Sequence, residues 1–191
     1  MAKTDLRNFD YRKVAHYDSD MWRAYYNHQF LKMTVLLLKT IRSQLGLNWW
    51  LTVRLAFYSG WAATDYRLRK GNENYDRILK NLVKFYKIIS NNCTDSFDYK
   101  KAAELELEWW NIHRYPNKFK KSLDQSLAEA AATMYSTNPA KLKDYAKYRG
   151  EAMLLPNHEG DDQPNPPDYN KITDILIKSW GSLHKAVNEK A

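Results

Sequence analysis

The residues of this chain that could do chemistry concentrate in the stretch ELELEWWNIH, residues 104–113. Three glutamates alternate with leucines there, and two tryptophans and a histidine follow. At helical spacing, Glu106 falls on the same face as Trp109, Trp110 and His113. A buried carboxylate needs a cation or hydrogen-bond donors, or it takes up a proton. We therefore predict that Glu106 is buried on an aromatic face and that it has a partner on another helix.

The other two glutamates of this stretch have a different expected role. Alternation with leucine would also fit a strand, but about 18 residues between helix breakers favour a helix. On that helix Glu104 and Glu108 lie one turn apart, beside Lys100 and Lys101. Such pairs on an exposed face stabilise a helix by about 0.2–0.5 kcal/mol each. We predict that both acids are exposed and that they have no chemical function.

Two arginines are candidate partners for Glu106. Arg149 falls on the apolar face of a later helix, where an arginine either extends to solvent or pairs with an acid. Arg54 shares a stripe of an earlier helix with Tyr58 and Asp65, among aromatic residues. Buried polar groups are nearly always hydrogen-bonded, so these residues must find partners. Arg149 is the first predicted partner of Glu106 and Arg54 is the second.

A face of small residues on that earlier helix predicts close packing by another backbone, and therefore a central position in the bundle. These residues are Ala56, Ser59, Gly60 and Ala63. His28, on the first helix, is expected to be a core histidine bonded to a carbonyl or a carboxylate. Together the polar residues define one candidate site inside a helical bundle, which would suit an enzyme or a ligand-binding protein. Its members are Glu106, His113, Arg149, Arg54, Asp65, Tyr58 and His28.

Ligand spacing argues against a metal site. A ferritin-like dimetal centre needs Glu-x-x-His on two helices, and this motif does not occur in the chain. One cysteine, Cys93, cannot form a thiolate zinc site, and no His-x-x-x-His pair exists. A less usual site would draw on His28, Asp65, Glu106, His113 and Glu151. No glycine-rich phosphate loop is present either. We expect no metal and no cofactor.

The elements that must position these residues are helices. Apolar residues recur at helical spacing along the chain, and the few glycines and prolines fall between the periodic segments. We predict an all-α, single-domain bundle of about seven helices, beginning with a long antiparallel pair. The helices are expected at about 19–45, 48–70, 73–90, 96–115, 117–135, 138–155 and 167–188. Residues 1–17 are predicted to be an arm before the helical domain of residues 18–191, and residues 156–168 an acidic, proline-rich loop.

The net charge of +8 suggests an anionic partner. In the third predicted helix, four cations recur every three or four residues opposite the apolar face. They are Arg77, Lys80, Lys84 and Lys87. No base-reading module accompanies them, so any binding to nucleic acid would be through the backbone and sensitive to salt. The alternative is that these cations serve only solubility, because solvated lysine-rich faces are common.

Composition also bears on the compartment. A single cysteine excludes an internal disulfide framework and suits a reducing environment. The stretch MAKTDLRNFD at the N-terminus has no apolar core typical of a signal peptide, and no apolar run approaches the roughly 20 residues of a membrane span. We expect a cytoplasmic protein without a membrane span. The sequence leaves open whether the chain forms a homo-oligomer.

Two functions fit these observations. The first is a binding or scaffold module that presents a basic surface to an anionic partner. The alternative is an enzyme or ligand-binding bundle whose site is the polar cluster of Glu106, His113, Asp65 and His28. A deep pocket lined by these residues would favour the second, and a filled interior in which they pair with each other would favour the first.

Overall fold

A computed structural model describes residues 3–155 and 167–189 of the chain. The fold is all-α, as the apolar periodicity predicted, and 78% of the described residues lie in helices. Eight α-helices occur in the described residues: α1 (Tyr11–Tyr26), α2 (Phe30–Leu45), α3 (Trp49–Leu68), α4 (Tyr75–Asn92), α5 (Tyr99–Arg114), α6 (Leu123–Met134), α7 (Lys143–Leu154) and α8 (Tyr169–Asn188). Short 3₁₀ helices at Pro116–Lys118 and Pro139–Leu142 precede α6 and α7.

The predicted first helix, about 19–45, is in fact two helices. The chain leaves α1 at Asn27, whose amide donates to the carbonyls of Arg23 and Tyr25. His28 then adopts a positive φ of 55°, a conformation that is uncommon outside glycine. Three residues thus suffice to reverse the chain, and α2 packs back against α1. Sequence reasoning missed this break because neither glycine nor proline marks it.

Helix α1 also begins earlier than predicted. The side chain of Asp10 caps it by accepting hydrogen bonds from the amides of Arg12 and Lys13. Residues 11–17, expected in a free arm, are therefore helical. The preceding segment is attached to the bundle as well, because Thr4 exchanges backbone hydrogen bonds of 2.9 Å with Asn92 and Thr94. Leu6 and Phe9 of the same segment are buried in the core.

Packing follows the order of the chain. Each helix contacts the next one, and α8 returns to pack on α1, so the eight described helices form a closed circuit. Their inward faces make one contiguous core. The largest completely buried side chains of this core are Leu55, Ile78, Leu82, Ile89, Leu142, Ile172, Leu176 and Leu183.

Helix α3 departs from the packing that its sequence suggested. Its buried face carries Leu51, Leu55 and Ala62, whereas two of the four small residues, Gly60 and Ala63, are not covered by another helix. A side chain built at Gly60 would meet nothing within 4 Å, and Ala63 is exposed. The prediction of a central helix was wrong, because the aromatic residues that suggested a second buried face point outward.

Two further findings complete the architecture. Most of the predicted acidic loop lies outside the described residues, which resume at 167. Asp168 then caps α8 by accepting hydrogen bonds from the amides of Asn170 and Lys171. In the described part of the chain, no helix is long and apolar enough to cross a bilayer.

Candidate functional site

The carboxylate of Glu106 lies among aromatic side chains, as the helical spacing predicted. The indole nitrogens of Trp109 and Trp110 donate to it at 2.8 and 3.0 Å, and the Tyr86 hydroxyl of α4 donates at 3.0 Å. Burial raises the pKa of Glu106, and these three hydrogen bonds oppose the shift only in part. All three donors are neutral, so the partner is not the arginine that we expected.

Neither predicted arginine forms an ion pair with Glu106, although the charge of Arg149 does lower the pKa of Glu106. Arg54 is exposed on α3. Arg149 of α7 forms its ion pair with Asp18 of α1. Two of the hydrogen bonds to Glu106 are local, because Trp109 and Trp110 follow it by three and four residues and reach its oxygens from the same helix.

Asp18 is the residue that sequence reasoning missed. It lies inside α1, and only 1% of it is exposed. The Trp180 indole of α8 donates to it at 3.0 Å. The Arg149 guanidinium lies 5.0 Å from the ring of Trp22 and 5.6 Å from that of Trp180. Burial lowers the pKa of Arg149, but the charges of Asp18, Tyr145 and Glu106 and the hydrogen bond to Asp18 together raise it. The sequence did indicate that Asp18 is buried, because it lies on one helical face with Ala15 and Trp22.

Asp65 is buried as predicted, and its partner comes from α4. Arg77 donates to both of its carboxylate oxygens, and Arg69 lies 3.9 Å away. Arg77 is therefore committed to an ion pair rather than only to the predicted cation stripe. Lys84, two turns further along the same stripe, has its Nζ 5.4 Å from the ring centroid of Tyr58. Lys80 and Lys87 are exposed on the same helix.

A second acidic residue that was not predicted is Glu73, in the α3–α4 connection. Arg114 and the Tyr115 hydroxyl donate to it at 3.0 and 2.6 Å, and its side chain is only 4% exposed. Burial would raise the pKa of Glu73, but hydrogen bonds from Tyr115, backbone amides and Arg114 lower it to about 2. Arg114 also stacks 3.6 Å above the ring of Tyr66. These contacts fasten the α3–α4 connection to the end of α5.

The predicted polar cluster is therefore distributed over separate sets of contacts. His28 is exposed in the turn between α1 and α2, where its positive φ places it outside the core. His113 is half-buried in the last turn of α5. In the described residues, no three His, Cys, Asp or Glu side chains are grouped so that they could hold a metal ion.

Two pockets among the described residues lie away from Glu106. One, of about 10 Å³, is lined by Leu6, Asp95 and Tyr135 among others. The second is an open depression around Arg69 and Glu73. Neither is lined by Glu106 or His113. The interior around Glu106 is occupied by this chain's own side chains.

The most unusual feature of the exterior is an apolar surface formed by α2 and α3. Thirteen large hydrophobic side chains of the described residues are exposed, and ten of them lie between residues 26 and 68. These ten are Tyr26, Phe30, Leu31, Val35, Trp49, Trp50, Val53, Phe57, Trp61 and Leu68. The exposed side chains of residues 26–70 are called the α2–α3 surface below. Large apolar side chains are seldom exposed in such numbers on one part of a soluble monomer, so this surface is a candidate interaction site.

Along α3 the exposed apolar residues form one stripe. Trp50, Phe57, Trp61 and Leu68 recur at intervals of seven, four and seven residues, which keeps them on one side of the helix. Trp50 is 72% exposed and Leu68 is 74% exposed. The rings of Phe57 and Trp61 stack with their centroids 6.0 Å apart. Sequence reasoning placed the aromatic residues of this helix around Arg54 and Asp65, on a face that it took to be buried.

The positive charge is concentrated on the same surface. Residues 26–70 contain seven Lys or Arg and one acid, a net charge of +6 out of +8 for the whole chain. All seven cations are exposed: Lys32, Lys39, Arg42, Arg54, Arg67, Arg69 and Lys70. The single acid, Asp65, is buried and already paired with Arg77. Toward a partner, this surface therefore presents cations and apolar side chains.

Contacts place cations on both sides of the α3 stripe. On one side Arg42 of α2 lies 4.5 Å from the ring of Trp49, and Arg67 lies 4.9 Å from that of Tyr25 in α1. On the other side Lys84 of α4 contacts Tyr58. The apolar stripe is thus bordered by positive charge along its length.

The chain matches no protein-family model, no curated protein and no solved structure. Its function must therefore be argued from the geometry above.

Proposed function

We propose that this protein is a binding module whose docking face is the α2–α3 surface and whose partner is anionic. The observation that carries the proposal is the coincidence of two features in residues 26–70: ten exposed large apolar side chains and a net charge of +6. Solubility alone would explain dispersed cations, but it does not explain exposed tryptophans among them. The cation stripe of Arg77, Lys80, Lys84 and Lys87 borders the same face and extends it.

The interior supports a binding module rather than an enzyme. The oxygens of Glu106 accept hydrogen bonds from Tyr86, Trp109 and Trp110, and Asp65 is held by Arg77. Polar groups that satisfy one another stabilise a bundle and leave little capacity for a ligand.

A cytoplasmic location is part of the proposal. The thiol of Cys93, the only cysteine, is buried, and the carbonyl oxygens of Ser90 and Asp95, at 3.4 and 3.1 Å from its sulfur, can accept its one hydrogen. Burial raises the pKa of this thiol, which keeps it in the unreactive protonated form. Such a cysteine suits a compartment in which thiols stay reduced.

The test is a heparin titration over a range of salt concentrations. Affinity should fall linearly on a double logarithmic plot, because binding releases counterions. Arg54→Ala should lower the slope by about one, since one contact with the polyanion is lost. The matched control is Lys178→Ala, which removes an exposed cation from α8, a helix that packs on α1 and α7. Equal effects of the two variants, or no binding at low salt, would refute the proposed docking face.

A further inference from the structure

We propose that the anionic partner is a lipid bilayer surface, and that the α3 stripe of Trp50, Phe57, Trp61 and Leu68 enters its headgroup region. This inference rests on the proposed function and names its partner. Exposed tryptophan, phenylalanine and leucine side chains with cations beside them are typical of protein surfaces that lie in a membrane interface.

The dimensions of the stripe suit this arrangement. From Trp50 to Leu68 the helix rises about 27 Å, at about 1.5 Å per residue. Leu55 and Ala62 on the opposite side of α3 are completely buried, so the core holds the helix in place. The outer side chains are therefore presented along one straight line on a folded scaffold. Docking would not require α3 to fold on contact, unlike the binding of a disordered segment.

The residue types favour a lipid interface over other apolar surroundings. Tryptophan is enriched at the boundary between headgroups and hydrocarbon, because its ring is apolar and its N–H finds polar partners. Trp49, Trp50 and Trp61 are all exposed on α3. Arg54 lies within the same outer face, where its long side chain can direct the guanidinium to phosphate while its methylene groups stay in the apolar layer.

Charge argues for an anionic membrane and against a second copy of the chain. Two copies that meet through the α2–α3 surface would bring two charges of +6 together, and the exposed side chains of residues 26–70 include no acid to pair with them. Anionic lipids supply the complementary charge, and each basic residue near such a surface adds to the attraction. The cytoplasmic leaflet carries these lipids, which agrees with the proposed compartment.

The experiment is co-sedimentation of the full chain with vesicles, followed by tryptophan emission. We expect binding to vesicles of phosphatidylcholine and phosphatidylserine in equal parts, with a blue shift and quenching by brominated acyl chains. Vesicles of phosphatidylcholine alone should bind much less. The variant Trp50→Ser/Phe57→Ser should weaken vesicle binding by at least about tenfold, because it removes the apolar anchors. The matched control, Phe119→Ser/Leu154→Ser, removes exposed apolar residues far along the chain and should bind as the parent does.

Each remaining outcome has a defined meaning. Heparin binding without vesicle binding would overturn the membrane inference and leave the basic docking face intact. Loss of both would refute both proposals. Vesicle binding that the Trp50→Ser/Phe57→Ser variant retains would also overturn the inference, because attraction would then be electrostatic only. A dimer that this variant dissociates, with no vesicle binding, would assign the surface to a second copy. Thermal melts check that both double variants are folded.

Discussion

The donors to Glu106 are two indoles and one phenol, and their neutrality changes what a substitution should do. With an arginine partner, loss of the carboxylate would leave a buried cation without compensation. With neutral donors, replacement of the carboxylate lowers the free energy of unfolding only by the loss of one well-directed hydrogen bond. Residue spacing alone was enough to predict that Glu106 lies on the aromatic face of α5. Two of the three donors, Trp109 and Trp110, could also have been predicted, since they lie one helical turn from Glu106.

Glu106→Gln should destabilise the protein by about 1–3 kcal/mol, because the amide NH₂ must face a donor and leaves it unsatisfied. Glu104→Gln, at an exposed position of the same helix, should change stability by less than about 0.5 kcal/mol. Urea denaturation of both variants gives the comparison. Equal shifts of the midpoint would contradict the assignment of Glu106 to an internal hydrogen-bonded position.

Because folding lowers the pKa of Glu73, we expect the connection between α3 and α4 to be sensitive to acid. Its pKa is about 2 in the folded protein, against a model-peptide value of 4.5. An acid whose pKa is lowered by folding stabilises the fold above its unfolded pKa, and this contribution is lost as pH falls toward the folded pKa. Stability should therefore decline between about pH 4.5 and pH 2, partly through this residue. The variant Glu73→Gln should lose less stability over this range than the parent, as measured by denaturation at several pH values. A parallel decline in both proteins would show that other acids are responsible.

At the scale of elements, one ion pair joins three helices that are distant in sequence. Asp18 of α1 binds Arg149 of α7 and the indole of Trp180 in α8. Sequence reasoning identified Arg149 as a buried cation in need of an acid but chose the wrong acid. The correct one lies 131 residues away. Spacing along a helix gives the face of a residue, whereas the choice among partners depends on which helices meet.

Asp18→Asn should destabilise the fold by about 3–5 kcal/mol, since it leaves the half-buried Arg149 without its counter-charge. Asp20→Asn, at an exposed position on the same helix, should have an effect below about 0.5 kcal/mol. A second variant, Asp18→Asn/Arg149→Met, should be less destabilised than the sum of its single changes, because each removes the same interaction. If, in chemical denaturation, the losses in free energy of unfolding of the two single variants add up to that of the double variant, the two residues are not coupled.

Helix boundaries were predictable where the chain carries explicit signals. Gly46 ends α2 with a φ of 63°, and Asn138 followed by Pro139 begins the next helical segment, both as predicted. The turn at His28 carries no such signal, because the surrounding residues would also continue a helix. There the packing of α2 on α1 decides the conformation, and local propensity does not.

At the scale of the whole molecule, the distribution of charge and apolar surface decides the function that we propose. Composition gives the net charge of +8, but only the fold shows that ten large apolar side chains of residues 26–70 are exposed together with the cations of this range. An apolar stripe on a helix has the same sequence pattern whether it faces the core or a membrane. Helix α3 has apolar residues on both sides, so its sequence alone could not assign the outer one.

The closed circuit of helices has a consequence for the connectivity of the chain. Helix α8 packs on α1, and the side chain of Asn188 donates to the carbonyl of Arg7 at 3.1 Å. The two ends of the described fold are therefore adjacent, while residues 27–29 form an exposed turn. Circular permutation is tolerated where ends are close and the new opening lies in an exposed turn. A permuted gene that joins these ends through a flexible linker and opens at His28 should encode the same bundle, with α2 as its first helix and α1 as its last.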